Sequence, residues 1–397
     1  MDNRLKYAIL FVFLPITFFL TGCENEYMIE EAKDAQRTIL VYIAGENSLS
    51  GFGVNNVLGM IRGSDGDNLN GGNLLVYLDL SGSLPCLLKI SEGLKGAVVD
   101  TVKVYAEQNS ADVGVMKSVL NDVFRNPKYE APSKGVILWS HGTAWLPQNP
   151  GEYLRAFIQD KSGAGNFWME LSDLREGLSE YKGENRLDFI IFDACYMGNI
   201  EVFYALRENA DYILASPTEI IADGLPYSQL MGTFFSDKVS VEEMLKETSD
   251  RFYNFYNSQI GLAQSASIGL AKMSAMDKLA SVSKEIFSGK YEVDALDVPV
   301  GQIQILERLG YANNSLFDFR DYVSHVATDE QLERFSSALD SVIVYKATTE
   351  NAYYGNYPSK TFPINRFCGI SSYIPQRNLD KLNEWYKQLD WFKAIYE

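Results

Sequence analysis

Short runs of apolar, often β-branched residues recur through the first half of the chain: Thr38 to Ala44, Leu74 to Leu78, Gly135 to Ser140, Leu187 to Phe192 and Asp211 to Ala215. They are continuous rather than alternating, so each reads as a strand buried on both faces. Stretches of helical period lie between them. One starts near Ser110 or Asp112 and puts Val113, Met116, Leu120, Val123 and Phe124 on one face. Another is marked by Leu171, Leu174, Leu178 and Tyr181, and a third by Ile200, Phe203 and Leu206. Strands alternating with helices predict an α/β fold with a mostly parallel sheet covered on both faces. Cys86 to Ile90 and Ala97 to Tyr105, separated by Ser91-Glu92-Gly93, read instead as a β-hairpin.

The second half is less regular. Ser240 and Glu243 form a capping box ahead of a helix bearing Met244, Leu245, Phe252 and Phe255. Ser267 to Leu270 and Gly369 to Ile374 read as strands, and Leu379, Leu382, Tyr386 and Leu389 as one final helix. His325 falls in a predicted helix from Leu316 to Ala327 and reads as structural. No linker or change of composition divides the halves, which predicts direct packing of one on the other.

The chain starts differently. Arg4 and Lys6 precede a 14-residue apolar run, Tyr7 to Leu20, too short to span a bilayer and followed by Leu20-Thr21-Gly22-Cys23. This is the pattern of an export signal, and its end resembles the bacterial lipobox. The resemblance implies removal of residues 1–22, lipidation of Cys23, a tether over 23–35 and attachment to the cell envelope. The formal charge of −17 argues against nucleic acid as a partner. Apart from Cys23, the cysteines are Cys86, Cys195 and Cys368, an odd number that leaves at least one free thiol and rules out a disulfide framework. Cys86 and Cys368 read as small buried hydrophobes, with pairing between them left open.

Chemistry gathers at two strand ends. The chain has 2 histidines, His141 and His325. His141 ends one predicted parallel strand, and Cys195 follows another through Asp193-Ala194. Ligands and reactive groups collect at the carboxyl ends of such strands, so the two residues are expected at one rim. A cysteine nucleophile needs a base to make its thiolate, and His141 is the candidate. A helix predicted to start directly after Cys195 would lower the thiol pKa. The backbone N–H groups of Gly142 and Cys195 are candidate oxyanion donors. Asp193 reads either as a pocket acid or as a cap of the next helix, and Asp223 either as a pocket acid or as the shaper of an Asp-Gly turn. The stretch 142–170 reads as a long loop, a length that usually signals function. Two histidines in distant segments give no metal cluster, no calcium-loop motif is present, and no cofactor is required.

Trp139-Ser140-His141-Gly142 and Asp193-Ala194-Cys195 resemble the histidine and cysteine motifs of the clostripain-like peptidases, within the caspase-like superfamily. Val41 to Asn47, Ala215-Ser216, Asp223 to Tyr227 and Gly369 to Pro375 are similar to further segments of that family. The resemblance implies a caspase-like three-layer sandwich over 36–235 as the catalytic domain, with 236–397 as an α/β extension packed on it. It implies a cysteine endopeptidase with a His141–Cys195 dyad, acting on protein or peptide substrates after Arg or Lys. Asp193 and Asp223 would be the pocket acids, although Ile221-Ala222 stands where Pro-Gly is usual. It further implies activation by cleavage between the two motifs, with Arg155 and Lys161 as candidate sites, and allows for calcium. The competing readings are an inactive surface-binding relative, and a thiol amidase or transpeptidase on the same fold.

Overall fold

The computed structural model describes residues 34–146, 157–162, 165–291, 298–307, 314–355 and 360–397. Its strands run in chain order as β1 (Arg37–Gly45), β2 (Asn73–Leu80), β3 (Cys86–Ser91), β4 (Val98–Val104), β5 (Ser133–Trp139), β6 (Phe157–Asp160), β7 (Phe167–Met169) and β8 (Leu187–Asp193). They continue as β9 (Ala210–Ala215), β10 (Ser267–Lys272), β11 (Leu316–Asp318), β12 (Ile343–Thr348), β13 (Asn351–Tyr354), β14 (Lys360–Pro363) and β15 (Ser371–Tyr373). The helices of the first half are α1 (Ser50–Gly63), α2 (Val113–Phe124), α3 (Leu171–Gly177), α4 (Ile200–Ala205) and α5 (Tyr227–Phe234). Those of the second are α6 (Val241–Asn257), α7 (Met276–Phe287), α8 (Phe319–Ser324), α9 (Asp329–Val342), α10 (Asp380–Tyr386) and α11 (Asp390–Tyr396).

The five apolar runs become the middle of one nine-stranded sheet of order β12-β10-β9-β8-β5-β1-β2-β3-β4. β2, β1, β5, β8 and β9 are parallel, and antiparallel strands finish both edges. Alternate residues of the central strands feed two cores. Leu40, Tyr42, Val136, Leu138, Ile190 and Phe192 join the core that includes residues of α2, α4, α7 and α11, whereas Ile39, Val41, Ile43, Ile137 and Ile191 join that of α1, α5 and α6. Both faces are therefore dry, which is why the runs are continuously apolar. Asp112 proves to be the N-cap of α2, and the Ser240–Glu243 capping box opens α6.

Four expectations change. β10 and β12 extend the sheet itself, so the segment 236–397 adds edge strands as well as packing on the sheet. The helix expected from Leu316 to Ala327 divides: Leu316–Asp318 pairs with β15, and Asp318 then caps α8. The final helix is two, α10 and α11. The long loop 142–170 holds a small hairpin, β6 with β7. Cys86, Cys195 and Cys368 are all free thiols. Among the described residues no helix is long and apolar enough to cross a membrane.

Candidate active site

β5 and β8 lie side by side with Trp139 opposite Asp193. Two residues beyond that pair on each strand come His141 and Cys195, so the register alone brings both to one rim. They line a single cleft together with Trp139, Ser140, Asp193, Leu49, Tyr353 and the loop positions Glu219 to Ala222 and Gly224. Gly142 packs so closely on the cysteine turn that a Cβ there would lie 2.5 Å from the Cys195 carbonyl oxygen and 3.1 Å from Ala194 Cβ. Glycine is required by this approach. The turn itself is tight: Tyr196 has a φ of +62°, an uncommon conformation for a bulky residue. It is pinned by Tyr196 N–H to the Thr218 carbonyl at 3.0 Å and Gly198 N–H to the Ser216 carbonyl at 2.8 Å.

The thiol is not where a helix dipole helps it. α4 starts only at Ile200, behind Asn199, whose side chain accepts from Glu201 N–H at 3.2 Å and Val202 N–H at 3.4 Å. Cys195 sits in the turn before that cap, and the expected lowering of its pKa is reversed. Burial pushes the thiol well above its usual range, and the Glu219 carboxylate adds to this. The Ile220 N–H donates to Sγ at 3.4 Å, so the backbone of the pocket loop already occupies the sulfur. His141 has its own partners. Its Nε2 lies 2.9 Å from Ser48 Oγ, in the turn after β1, and its carbonyl accepts from Ile158 N–H at 3.2 Å.

Asp193 does not cap α4. Its carboxylate is buried on the cleft floor, where it accepts from Leu225 N–H at 3.1 Å and from the Tyr227 hydroxyl at 2.9 Å. Burial raises its pKa to about 6, against the lowering by those two donors. It thus ties the loop 216–227 to the sheet, and Gly224, at φ +67°, leaves the room this needs. Asp223 is exposed and stands outside the cleft lining. It forms the expected Asp-Gly turn, with Gly224 N–H on the Ile221 carbonyl at 2.9 Å. Its own carbonyl accepts from Asn56 Nδ2 at 2.8 Å, and Asn56 Oδ1 accepts from Trp139 Nε1 at 2.7 Å. Lys161 is exposed, with its N–H on the Glu46 carbonyl at 2.9 Å. Arg155 and Cys23 lie outside the described residues.

Two residues beside the dyad escaped the sequence reading, Glu219 in the cleft and Ser48 just outside its lining. Ser48 touches His141, and Glu219 lies beside the thiol while accepting from the Tyr196 hydroxyl at 3.1 Å and Gly355 N–H at 3.0 Å. His325, the other histidine, is remote in role: its Nδ1 lies 2.8 Å from the Asp321 carbonyl oxygen at the end of α8.

The model of the Clostripain family matches residues 41–397. Among solved structures, an inactive zymogen C11 protease from Parabacteroides distasonis is 40% identical, with a TM-score of 0.81 over 91% of this chain and 99% of that one. A secreted C11 cysteine protease from Bacteroides thetaiotaomicron, in complex with an irreversible peptide inhibitor, is 32% identical, with a TM-score of 0.77 over 91% and 99%. Among curated proteins none is similar to this chain. A family match over most of the chain, together with a free cysteine and a histidine at one sheet rim, makes this chain a cysteine protease of the clostripain family.

Proposed function

We propose that the chain is an endopeptidase using a Cys195–His141 dyad and cleaving after arginine or lysine. The observation that carries this is the register of β5 on β8, which opens both side chains into one cleft above a buried carboxylate. Cys195 Sγ attacks the peptide carbonyl as the thiolate, forming the carbon–sulfur bond. The oxyanion is met by the N–H groups of Gly142 and Cys195. His141 gives its proton to the leaving amine as the carbon–nitrogen bond breaks, and water, deprotonated by His141, then releases the acyl group. The Asp193 carboxylate at the floor supplies the negative charge for a basic side chain, with Asp223 on the exposed lip of the same loop.

The covered thiol supports a latent form. The Ile220 N–H on the sulfur favours the thiolate, while burial and Glu219 oppose it, so a shift that takes Glu219 and its loop off the thiol would precede attack. We place the activating cut after Arg155, with Lys161 as the second candidate, made by the enzyme itself. Lipidation at Cys23 would hold the mature chain on the cell envelope, and Cys23→Ser should then release it into the soluble fraction.

Fluorogenic peptides varied at the residue before the scissile bond test the reading, on wild type and Cys195→Ala, before and after limited proteolysis. Cleavage after Arg or Lys should fall by at least about 10⁴-fold in the variant. A chain that stays uncut while fully active removes self-cleavage from the scheme. No cleavage of any peptide, even after proteolysis, favours a binding protein on this fold.

A further inference from the structure

Consecutive residues of the pocket loop strap the nucleophile turn. The Thr218 carbonyl accepts from Tyr196 N–H at 3.0 Å, the Glu219 carboxylate accepts from the Tyr196 hydroxyl at 3.1 Å, and Ile220 N–H donates to Cys195 Sγ at 3.4 Å. Thr218 is fixed from behind, since its hydroxyl lies 2.6 Å from that of Ser267 at the start of β10. Glu219 reaches further. Both of its carboxylate oxygens accept from Gly355 N–H, each at 3.0 Å, just beyond the end of β13. Only a glycine allows this approach, because a Cβ there would stand 2.6 Å from Glu219 Oε1. β13 belongs to neither of the two large cores. It pairs with β14 in a separate two-stranded sheet, and Ala352 and Phe362 pack with Leu306 and Ile364 in a small third core. A unit with so few buried contacts can shift without disturbing the main sheet. Tyr353, in the same strand, lines the cleft together with Cys195 and Glu219.

We propose that Glu219 is a positioning residue through which β13 sets the reactivity of the Cys195 thiol. The inference rests on Cys195 being the nucleophile and names what controls it. While Gly355 and Tyr196 hold the carboxylate in the cleft wall, its negative charge opposes formation of a thiolate in the same cleft. Once Gly355 withdraws, the carboxylate loses a donor that keeps it there and can turn out toward water, which solvates it better. The Ile220 N–H then favours the thiolate without the opposing charge of Glu219. A peptide laid along Tyr353 presses on the strand that ends at this bond, so filling the cleft and freeing the thiol are joined mechanically. Asp193, His141 and, toward the Tyr196 hydroxyl, Glu307 are the other titratable groups facing this pair among the described residues.

The test reads the sulfur itself, without substrate. Full-length protein is treated with iodoacetamide from about pH 6 to 9, and modification of Cys195 is followed by mass spectrometry with Cys86 as the reference thiol. Glu219→Gln keeps the shape of the side chain, and so the access to Sγ. It should speed alkylation about tenfold at neutral pH, the equivalent of one unit in the thiol pKa, and move the pH profile down accordingly. Gly355→Ala should speed it in the same direction. The double variant should be no faster than Glu219→Gln alone, since both changes act through one carboxylate. If either single variant reacts at the wild-type rate, or if the two effects multiply, the coupling is overturned. Should Gly355→Ala not fold, amide exchange decides in its place: exchange in the segment 351–355 should quicken in Glu219→Ala, and unchanged exchange overturns the link to β13. Alkylation needs no catalysis, so the two readings fail separately. Absence of peptide cleavage leaves the coupling standing if these rates change as expected, and unchanged rates overturn the coupling even where cleavage is intact.

Discussion

Asp193 and Asp79 occupy the same kind of place and solve it in opposite ways. Each lies at the carboxyl end of a parallel strand on one sheet rim, and each is buried, at 3% and 0% exposure. Asp193 is met by a backbone N–H and a tyrosine hydroxyl delivered by the loop 216–227. Asp79 keeps one oxygen bare and has Glu46 and Asp160 for neighbours. Burial accordingly raises its carboxyl to about 8, against about 6 for Asp193. A strand end therefore guarantees a reactive location but not a role. What the neighbouring loops deliver decides whether a buried acid is met by hydrogen-bond donors, as Asp193 is, or left beside other acids, as Asp79 is.

The largest expected effect breaks the comparison at Asp193. With Asp193→Asn, kcat/KM for peptides with Arg or Lys before the scissile bond should fall about 10²- to 10³-fold, the usual penalty for leaving a buried charge unpaired. Peptides with a neutral residue there should change far less. Asp79→Asn, assayed on the same panel, should leave the ratio of basic to neutral cleavage unchanged. If both variants lose basic preference equally, the two acids are not distinct in role.

A smaller effect, in pH, separates binding from stability at the same residue. The folded carboxyl of Asp193 titrates at about 6 and the unfolded one near 3.8. Between those values the folded state holds the proton more tightly. Its contribution to stability therefore falls as pH rises from about 4 to about 6 and is flat above, by an amount on the order of 2 to 3 kcal/mol. Binding of a basic side chain has the opposite sign: it needs the carboxylate, so kcat/KM for such peptides should climb through pH 6. Denaturant unfolding across that range, paired with pH–rate profiles, should show both trends in wild type and neither limb in Asp193→Asn.

The sheet was legible because its central strands are buried on both faces, a condition that writes itself into continuous apolar runs such as Ile39 to Ile43. His141 and Cys195 were legible for the same reason, since each closes such a run. Misreadings arose where a local pattern competed with a distant partner. Leu316–Asp318 has the composition of a helix start but pairs with Ser371–Tyr373, more than fifty positions away, and no local signal carries that pairing. The helix placed directly after Cys195 ignored a signal that was present: Gly198-Asn199 marks a turn and then a cap, so the dipole acts on Asn199 and not on the thiol. Ser48, Glu219 and the three clustered acids share one difficulty. Their partners come from separate loops, and spacing in sequence says nothing about which loop ends meet above a sheet.

Ser48 is the residue through which the two regions of the rim can be compared directly, and its effect should be the smallest. Its Oγ contacts His141 Nε2 at 2.9 Å while its backbone follows Glu46 by two residues. Loss of one such hydrogen bond, worth about 1 kcal/mol, predicts a fall in kcat of about 3- to 10-fold in Ser48→Ala, with KM nearly unchanged, because the bond orients the histidine and does not touch substrate. The acidic limb of the pH–kcat profile should shift as well, a change that a purely structural role for Ser48 would not produce. If Ser48→Ala keeps the wild-type kcat and pH profile, the histidine is oriented from elsewhere, and the β6 segment, whose Ile158 N–H bonds the His141 carbonyl, is the next place to cut the connection.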